Sequence, residues 1–175
     1  MKTILTDRLI IAPFDLKYLK DYYEGFDADV AKYQYPDPFS TEADAQEVLQ
    51  GFINLMNQGE MIFLAVLTKD NLFVGSIEVH GLKEKQPELG IWIRKEFQQN
   101  GYAYEALSNV INWIDENFQK EWYVYEADIR NKGSIKLVEK FHHREEGIDA
   151  FTTETGKELK LQRFTKIASA SWTPA

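Results

Sequence analysis

Glu88-Leu-Gly-Ile-Trp-Ile-Arg94, followed by Gln98-Gln-Asn-Gly-Tyr-Ala103 and then by a long stretch of helical periodicity, decides how this chain folds. The first run is rich in β-formers and reads as a strand. From Tyr102 to Lys120, residues Ala103, Ala106, Leu107, Val110, Ile111, Ile114 and Phe118 mark one apolar helical stripe. Gly101 lies between the two elements. A strand that turns tightly into a helix leaves backbone N–H groups free at the positive end of the helix dipole, a seat for an anion that needs no basic side chain. Gly101 either lets the main chain approach such an anion closely or serves only as the turn before the helix.

Upstream, Met61 to Thr68 and Leu72 to His80 are β-rich runs separated by Lys69-Asp70-Asn71, so with the Glu88 strand they form an antiparallel meander. Arg8 to Pro13 alternates weakly as a first strand. Asp15 caps a helix over Leu16 to Phe26, and Ser40 or Thr41 opens a second helix to about Asn57, ended by Gly59. Between these helices, Tyr33, Tyr35, Pro36, Pro38 and Phe39 make an aromatic loop that proline keeps from becoming helix. Downstream, Trp122 to Ile129 reads as a strand and Ser134 to Phe141 as a short helix. Glu145 to Thr153 with Leu159 to Ile167 closes the chain as a hairpin turned at Thr155-Gly156-Lys157. The order βααβββαβαββ predicts an α+β fold, a mixed and mostly antiparallel sheet flanked by helices. Its one parallel pair joins the strands before and after the long helix. Its mouth lies at the carboxyl end of the Glu88 strand.

A chain of 175 residues, 44% apolar and 14% aromatic, suits one domain spanning 1–175. Twenty Lys and Arg against 28 Asp and Glu give a net charge of −8, which argues against nucleic acid and favours amine-bearing partners. Without cysteine there is no thiolate nucleophile, disulfide or Cys-ligated zinc. Three histidines, His80, His142 and His143, offer little metal-ligand spacing, so no metal is expected. His80, beside Gly81, reads as a strand end. No secretory signal and no apolar run of membrane-spanning length is present, which leads to the expectation of a cytoplasmic protein without a membrane partner.

Gln98-x-x-Gly101-x-Ala103 resembles the acyl-CoA motif of the GNAT superfamily of N-acetyltransferases. Glu88-Leu-Gly-Ile-Trp92, Gly101-Tyr-Ala-Tyr-Glu-Ala106, Asn131-x-x-Ser134 and Glu146-Gly147 are similar, in order and spacing, to the branch containing the Rim-type ribosomal-protein N-terminal acetyltransferases. Leu5-Thr-Asp-Arg-Leu-Ile-Ile11 resembles that branch's first strand. The resemblance implies a splayed GNAT-like sheet with pantetheine running beside Ile91, Trp92 and Ile93. The turn Gln98, Gln99, Asn100, Gly101, Tyr102 and Ala103 would then receive the pyrophosphate of acetyl-CoA. It also implies cofactor contacts at Asn131 and Ser134, and an acceptor amine beside the aromatic loop. Two positions depart from the family pattern: His142-His143 replaces a Gly-Phe pair, and Val138 stands where many relatives carry a tyrosine acid.

An alkyl amine is mostly ammonium at neutral pH and must lose a proton before it attacks a thioester. Glu88 is the candidate base, or else an exposed carboxylate at a strand end. Ser134 corresponds to the serine proposed in the related enzymes to protonate the departing thiolate. Asn131 and Ser134 also read as an N-cap and its N3 residue, and a cap would itself position the hydroxyl. Tyr33, Tyr35 and Phe39 would wall the acceptor amine or pack locally. The function expected is acetyl transfer from acetyl-CoA to a primary amine, a peptide N-terminus or a small molecule, by direct attack in a ternary complex. The alternative is a noncatalytic CoA-binding or sensing module of the same fold. The oligomeric state, monomer or homodimer, stays open.

Overall fold

The computed structural model describes residues 2–168. The single-domain expectation for 1–175 therefore extends, at position 1 and at 169–175, outside the described residues.

A single sheet of eight strands runs through the molecule in the order β1-β2-β3-β4-β5-β6-β8-β7. The strands are β1 (Ile4–Leu5), β2 (Leu9–Pro13), β3 (Ile62–Thr68), β4 (Phe73–His80), β5 (Glu88–Ile93), β6 (Tyr123–Asp128), β7 (His142–Thr152) and β8 (Glu158–Ala168). The helices are α1 (Leu19–Gly25), α2 (Glu42–Asn57), α3 (Tyr102–Asn117) and α4 (Lys132–Val138). All neighbours are antiparallel except β5 and β6, so the expected mixed architecture with one parallel pair is found. The two-residue strand β1 precedes the element predicted to be first.

Period-two alternation divides the core between the two faces. From β3, Ile62, Leu64 and Val66 pack with the α3 stripe Ala106, Leu107, Val110, Ile111 and Ile114, while Phe63, Ala65 and Leu67 join Phe14, Tyr22, Phe26 and Leu49 beneath α1 and α2. A register shift at Val66/Leu67 lets Val74 and Ile77 reach the α3 face although they lie three positions apart. Thr41 caps α2 in a reciprocal box with Asp44. Asp15 accepts from the Lys17 amide at 2.8 Å, but the turn it caps, Leu16–Tyr18, is a 3-10 turn before α1.

Helix α3 stops three residues short of Lys120. Asn117 Nδ2 donates to the Trp113 carbonyl at 2.8 Å, Phe118 turns extended, and Lys120 Nζ donates to the carbonyls of Leu82 and Glu84, drawing the chain toward the β4–β5 loop. Helix α4 begins earlier than expected, at Lys132, because Asn131 caps it with Oδ1 3.1 Å from the Ser134 amide.

Candidate active site

Strands β5 and β6 pair only at Glu88↔Val124 and Leu89↔Tyr125. Beyond this point β5 continues to Ile93 without a partner on that side, and the sheet parts. Alternation along β5 sends Ile91 and Ile93 toward α3, and Glu88, Gly90 and Trp92 toward α1 and α2.

Below the parting, a crevice of about 520 Å³ runs between the carboxyl end of β5, the turn into α3 and the flank of α4. Gly101, at φ 79° and ψ 2°, is the N-cap of α3 in the left-handed region. A Cβ there would meet only the Arg8 guanidinium at 3.4 Å, so the conformation, more than the space, requires glycine. Among the described residues the backbone N–H groups of Gln99, Asn100, Gly101, Tyr102 and Ala103 have no hydrogen-bond partner. Gln99, Asn100 and Gly101 are exposed, Tyr102 and Ala103 partly so. Five unpartnered donors at a helix N-terminus suit a diphosphate, and Lys136 and Lys140 on the opposite wall add positive charge in an acidic chain.

The turn is braced from behind. Gln98 Nε2 donates to the Ile93 carbonyl at 2.9 Å, and Arg8 Nη1 to the Asn100 carbonyl at 2.8 Å. Arg8 Nε donates to Glu105 Oε2 at 2.6 Å, and Glu105 Oε1 accepts from the Arg8 amide at 2.9 Å. Arg8 and Glu105 were not among the residues singled out from the sequence. An acidic residue in a helix's first turn three residues before a serine carries no cue to a partner 97 positions away.

A second crevice, of about 460 Å³, opens among the aromatic loop, the β7–β8 hairpin and the polar ends of β4, β5 and β6. Tyr33 borders both crevices. Tyr35 borders this one, its ring edge-on to Phe151 at 5.3 Å. His80 and Glu88 face each other across the β4–β5 register at its mouth. Both side chains are exposed at this mouth, and the partial desolvation there lowers the His80 pKa. It also raises the Glu88 pKa, with Glu126 adding to the effect and Arg163 opposing it. Asp128 is held down at about 2 in spite of its burial, by hydrogen bonds from Arg130 and the amides of Lys160 and Arg130.

The crevices share Tyr33, Gln34, Ile91, Tyr125, Asn131 and Ser134, so they meet where the sheet parts. The acetyltransferase (GNAT) domain matches residues 8–144. The chain belongs to the GNAT acetyltransferase family. Among curated proteins, this GNAT chain is similar to the uncharacterized N-acetyltransferase p20 of Bacillus licheniformis, 22% identical over 154 residues that cover 85% of each chain. Its structural neighbours include Rim-type ribosomal protein acetyltransferases. One is RimL, an alpha-N-protein acetyltransferase solved with coenzyme A: TM-score 0.84, 15% identity, 96% of this chain and 98% of that one. Another neighbour is spermidine N-acetyltransferase from Vibrio cholerae, solved with CoA and spermine: TM-score 0.79, 14% identity, 93% and 96% covered.

The GNAT fold brings together Ile91, Ile93, Gln98, Gln99, Gly101, Tyr102, Ala103, Asn131 and Ser134, but Asn100 borders neither crevice and turns its side-chain amide back on the carbonyls of Phe97 and Gln98. Not every other residue named from the sequence reaches the crevices with its side chain. Trp92 is a correction: its indole is 3% exposed and lies in the aromatic core against Tyr22 at 4.8 Å and Phe26 at 5.2 Å. Three consecutive strand residues cannot all face one cleft. Phe39 is another, since it packs on Tyr22 and Phe26, each at 6.3 Å, and borders neither crevice. Gln98 spends its amide on Ile93. His142 and His143 line neither crevice, and His143 stacks edge-on against Phe164 at 5.6 Å. Among the described residues no three His, Cys, Asp or Glu side chains cluster to hold a metal, and no helix is long and apolar enough to cross a membrane.

Proposed function

We propose that this chain is a single acetyltransferase domain that passes the acetyl group of acetyl-CoA directly to a primary amine, with both substrates bound at once. The observation that carries this reading is the junction of the two crevices at the parting of β5 and β6, which gives two ligands access to one point from different sides. The unpartnered amides of Gln99 to Ala103 hold the diphosphate, with Lys136 and Lys140 near it. Ile91 and Ile93 edge the path of the pantetheine arm toward the junction, and Asn131 fixes the start of α4 beside it.

The other crevice takes the amine. Tyr35 and Phe151 offer aromatic faces, while the Tyr33 ring already carries Lys32 and Arg130 and serves as a wall, and Glu88 and Glu126 offer negative charge, a setting for a cationic amine. Glu88, its pKa raised from the usual carboxylate value, accepts the ammonium proton directly or through water, with His80 opposite it as a second acceptor. The free amine attacks the thioester carbon, the carbon–sulfur bond breaks, and Ser134 Oγ–H protonates the sulfur. Holding both reactants at one junction supplies the proximity that direct transfer needs, and no covalent acetyl-enzyme is required.

The test is thiol release from acetyl-CoA with peptide N-termini, polyamines, aminoglycosides and amino acids in turn, with mass spectrometry of the products. Amine-dependent thiol release and an N-acetylated product are expected. CoA binding with no acetylated product across these classes would make the chain a binding module instead.

A further inference from the structure

The hydroxyl of Tyr125 lies 2.6 Å from Oγ of Ser134, and both residues border both crevices. Tyr125 is the last β6 residue in register with β5, and alternation sends its ring to the α3 face with Tyr123 and Ala127. Ser134 approaches from the opposite wall. Its amide is taken by the Asn131 cap, so the backbone is fixed while the hydroxyl is left to the tyrosine. Among the described residues the Tyr125 hydroxyl bonds to nothing else, and the Ser134 hydroxyl likewise. Buried tyrosines commonly end on a carbonyl or carboxylate, as Tyr123 does on Asp115 at 2.6 Å. A hydroxyl partner both donates and accepts, so the pair forms a two-step proton path. Burial raises the Tyr125 pKa, with the Ser134 bond opposing, so the phenol stays protonated at neutral pH and serves as the donor.

We infer that Tyr125 is a positioning residue for thiol departure: its O–H donates to Ser134 Oγ and thereby turns the serine O–H toward the junction of the crevices. This rests on the junction being the site of transfer. As the carbon–sulfur bond breaks, its electron pair stays on sulfur, which takes the Ser134 proton. Ser134 takes the Tyr125 proton, and the proton shed by the acylated nitrogen restores the phenol. An amide and a thiol leave, and no further reactant is needed.

The experiment titrates the thiol of CoA bound to the wild-type chain, Tyr125→Phe, Ser134→Ala and the double variant, following thiolate absorbance, with calorimetric CoA affinity at pH 6 as a control. Hydroxyl donors stabilise a thiolate, so the wild-type thiol should titrate about one pH unit below that in either single variant. The double variant should shift no further, while affinity at pH 6 changes less than about threefold. With an accepted amine, kcat should fall about tenfold or more in Tyr125→Phe at unchanged KM for acetyl-CoA. A bound thiol that titrates alike in wild type and Tyr125→Phe overturns the inference, as does an additive double variant. If Tyr125→Phe fails to fold, 3-fluorotyrosine at position 125, a stronger donor of nearly the same shape, decides: the bound thiol should then titrate lower than in wild type, and an unchanged titration overturns the inference. Failure of the wild type to bind CoA instead removes the proposed function itself.

Discussion

Lys157 Nζ lies 2.7 Å from Asp37 Oδ1, joining the tip of the last hairpin to the aromatic loop 120 positions earlier. The same ammonium donates to the carbonyls of Ala31 at 3.0 Å and Gln34 at 2.6 Å, and Thr155 Oγ1 donates to Asp37 Oδ2 at 2.6 Å. One lysine thus holds the loop carrying Tyr33 and Tyr35 over the second crevice. Lys157→Ala should cost about 2 kcal/mol of stability, since it removes charge-assisted bonds at a site about one-fifth exposed. It should also raise KM for the amine about fivefold while leaving CoA affinity unchanged. Steady-state kinetics with each substrate varied checks this, and an effect on CoA alone would show that the loop does not serve the acceptor.

The lysine also predicts an acid dependence. Its hydrogen bond, followed by that of Thr155, holds the Asp37 pKa at about 2 against an ordinary value of 3.8. A carboxylate depressed in the native state stabilises the fold above its unfolded pKa and loses that effect as pH falls through its native one. Asp37→Asn should therefore lower the melting temperature relative to wild type at pH 6, with the gap closing as the pH approaches 2. A gap independent of pH would show that the charge is not what Lys157 holds.

Glu78 has the opposite sign. Its carboxylate hydrogen-bonds Ser76 and lies against Gly90, where a Cβ would meet Oε2 at 3.3 Å. Burial raises its pKa to about 7, with the Ser76 bond opposing. The native chain therefore holds a proton that the unfolded chain has lost above about 4.5, so stability falls as pH rises from 4.5 through 7. The penalty reaches at most about 3 kcal/mol above that range. Glu78→Gln removes the charge at nearly constant shape, so it should melt higher than wild type at pH 8 and alike at pH 4.5. Equal gaps at both pH values would contradict the buried-acid reading.

How much of this was legible in the sequence follows from how local each relationship is. The strand, Gly101 and helix of the phosphate turn lie in one short stretch, and the Asn131 cap spans three residues, so spacing alone shows both. The alternation that places Trp92 and Ile91 on opposite faces was also in the sequence, yet a resemblance carried over residue by residue passes across it. Phe39 reads as loop because of its prolines, but the aromatic core it joins is assembled from α1 and β5. Tyr125 and Ser134 are nine residues apart, and only a strand and a helix folded against each other bring their hydroxyls together. Arg8 with Glu105, and Lys157 with Asp37, depend on register across the sheet, which no local pattern encodes.

The two lysines on the α4 wall give a further prediction. Lys136→Glu with Lys140→Glu reverses two charges beside the phosphate turn, so CoA should bind about tenfold or more weakly at low salt, and the difference should shrink as ionic strength rises. A salt-independent loss measured by calorimetry would mean that packing, as of Lys140 over the Tyr104 ring at 5.3 Å, carries the effect.

The account depends above all on the main chain around Gly101 gripping a diphosphate. Isothermal titration of acetyl-CoA into the wild-type chain and into Gly101→Glu tests this most directly, with circular dichroism to confirm that both are folded. The wild type should bind. The variant, with a side chain forced into the left-handed region and its Cβ against the Arg8 guanidinium that braces the turn, should lose the amide cradle and bind at least about a hundredfold more weakly. No wild-type binding, or equal binding by the two chains, would contradict the account.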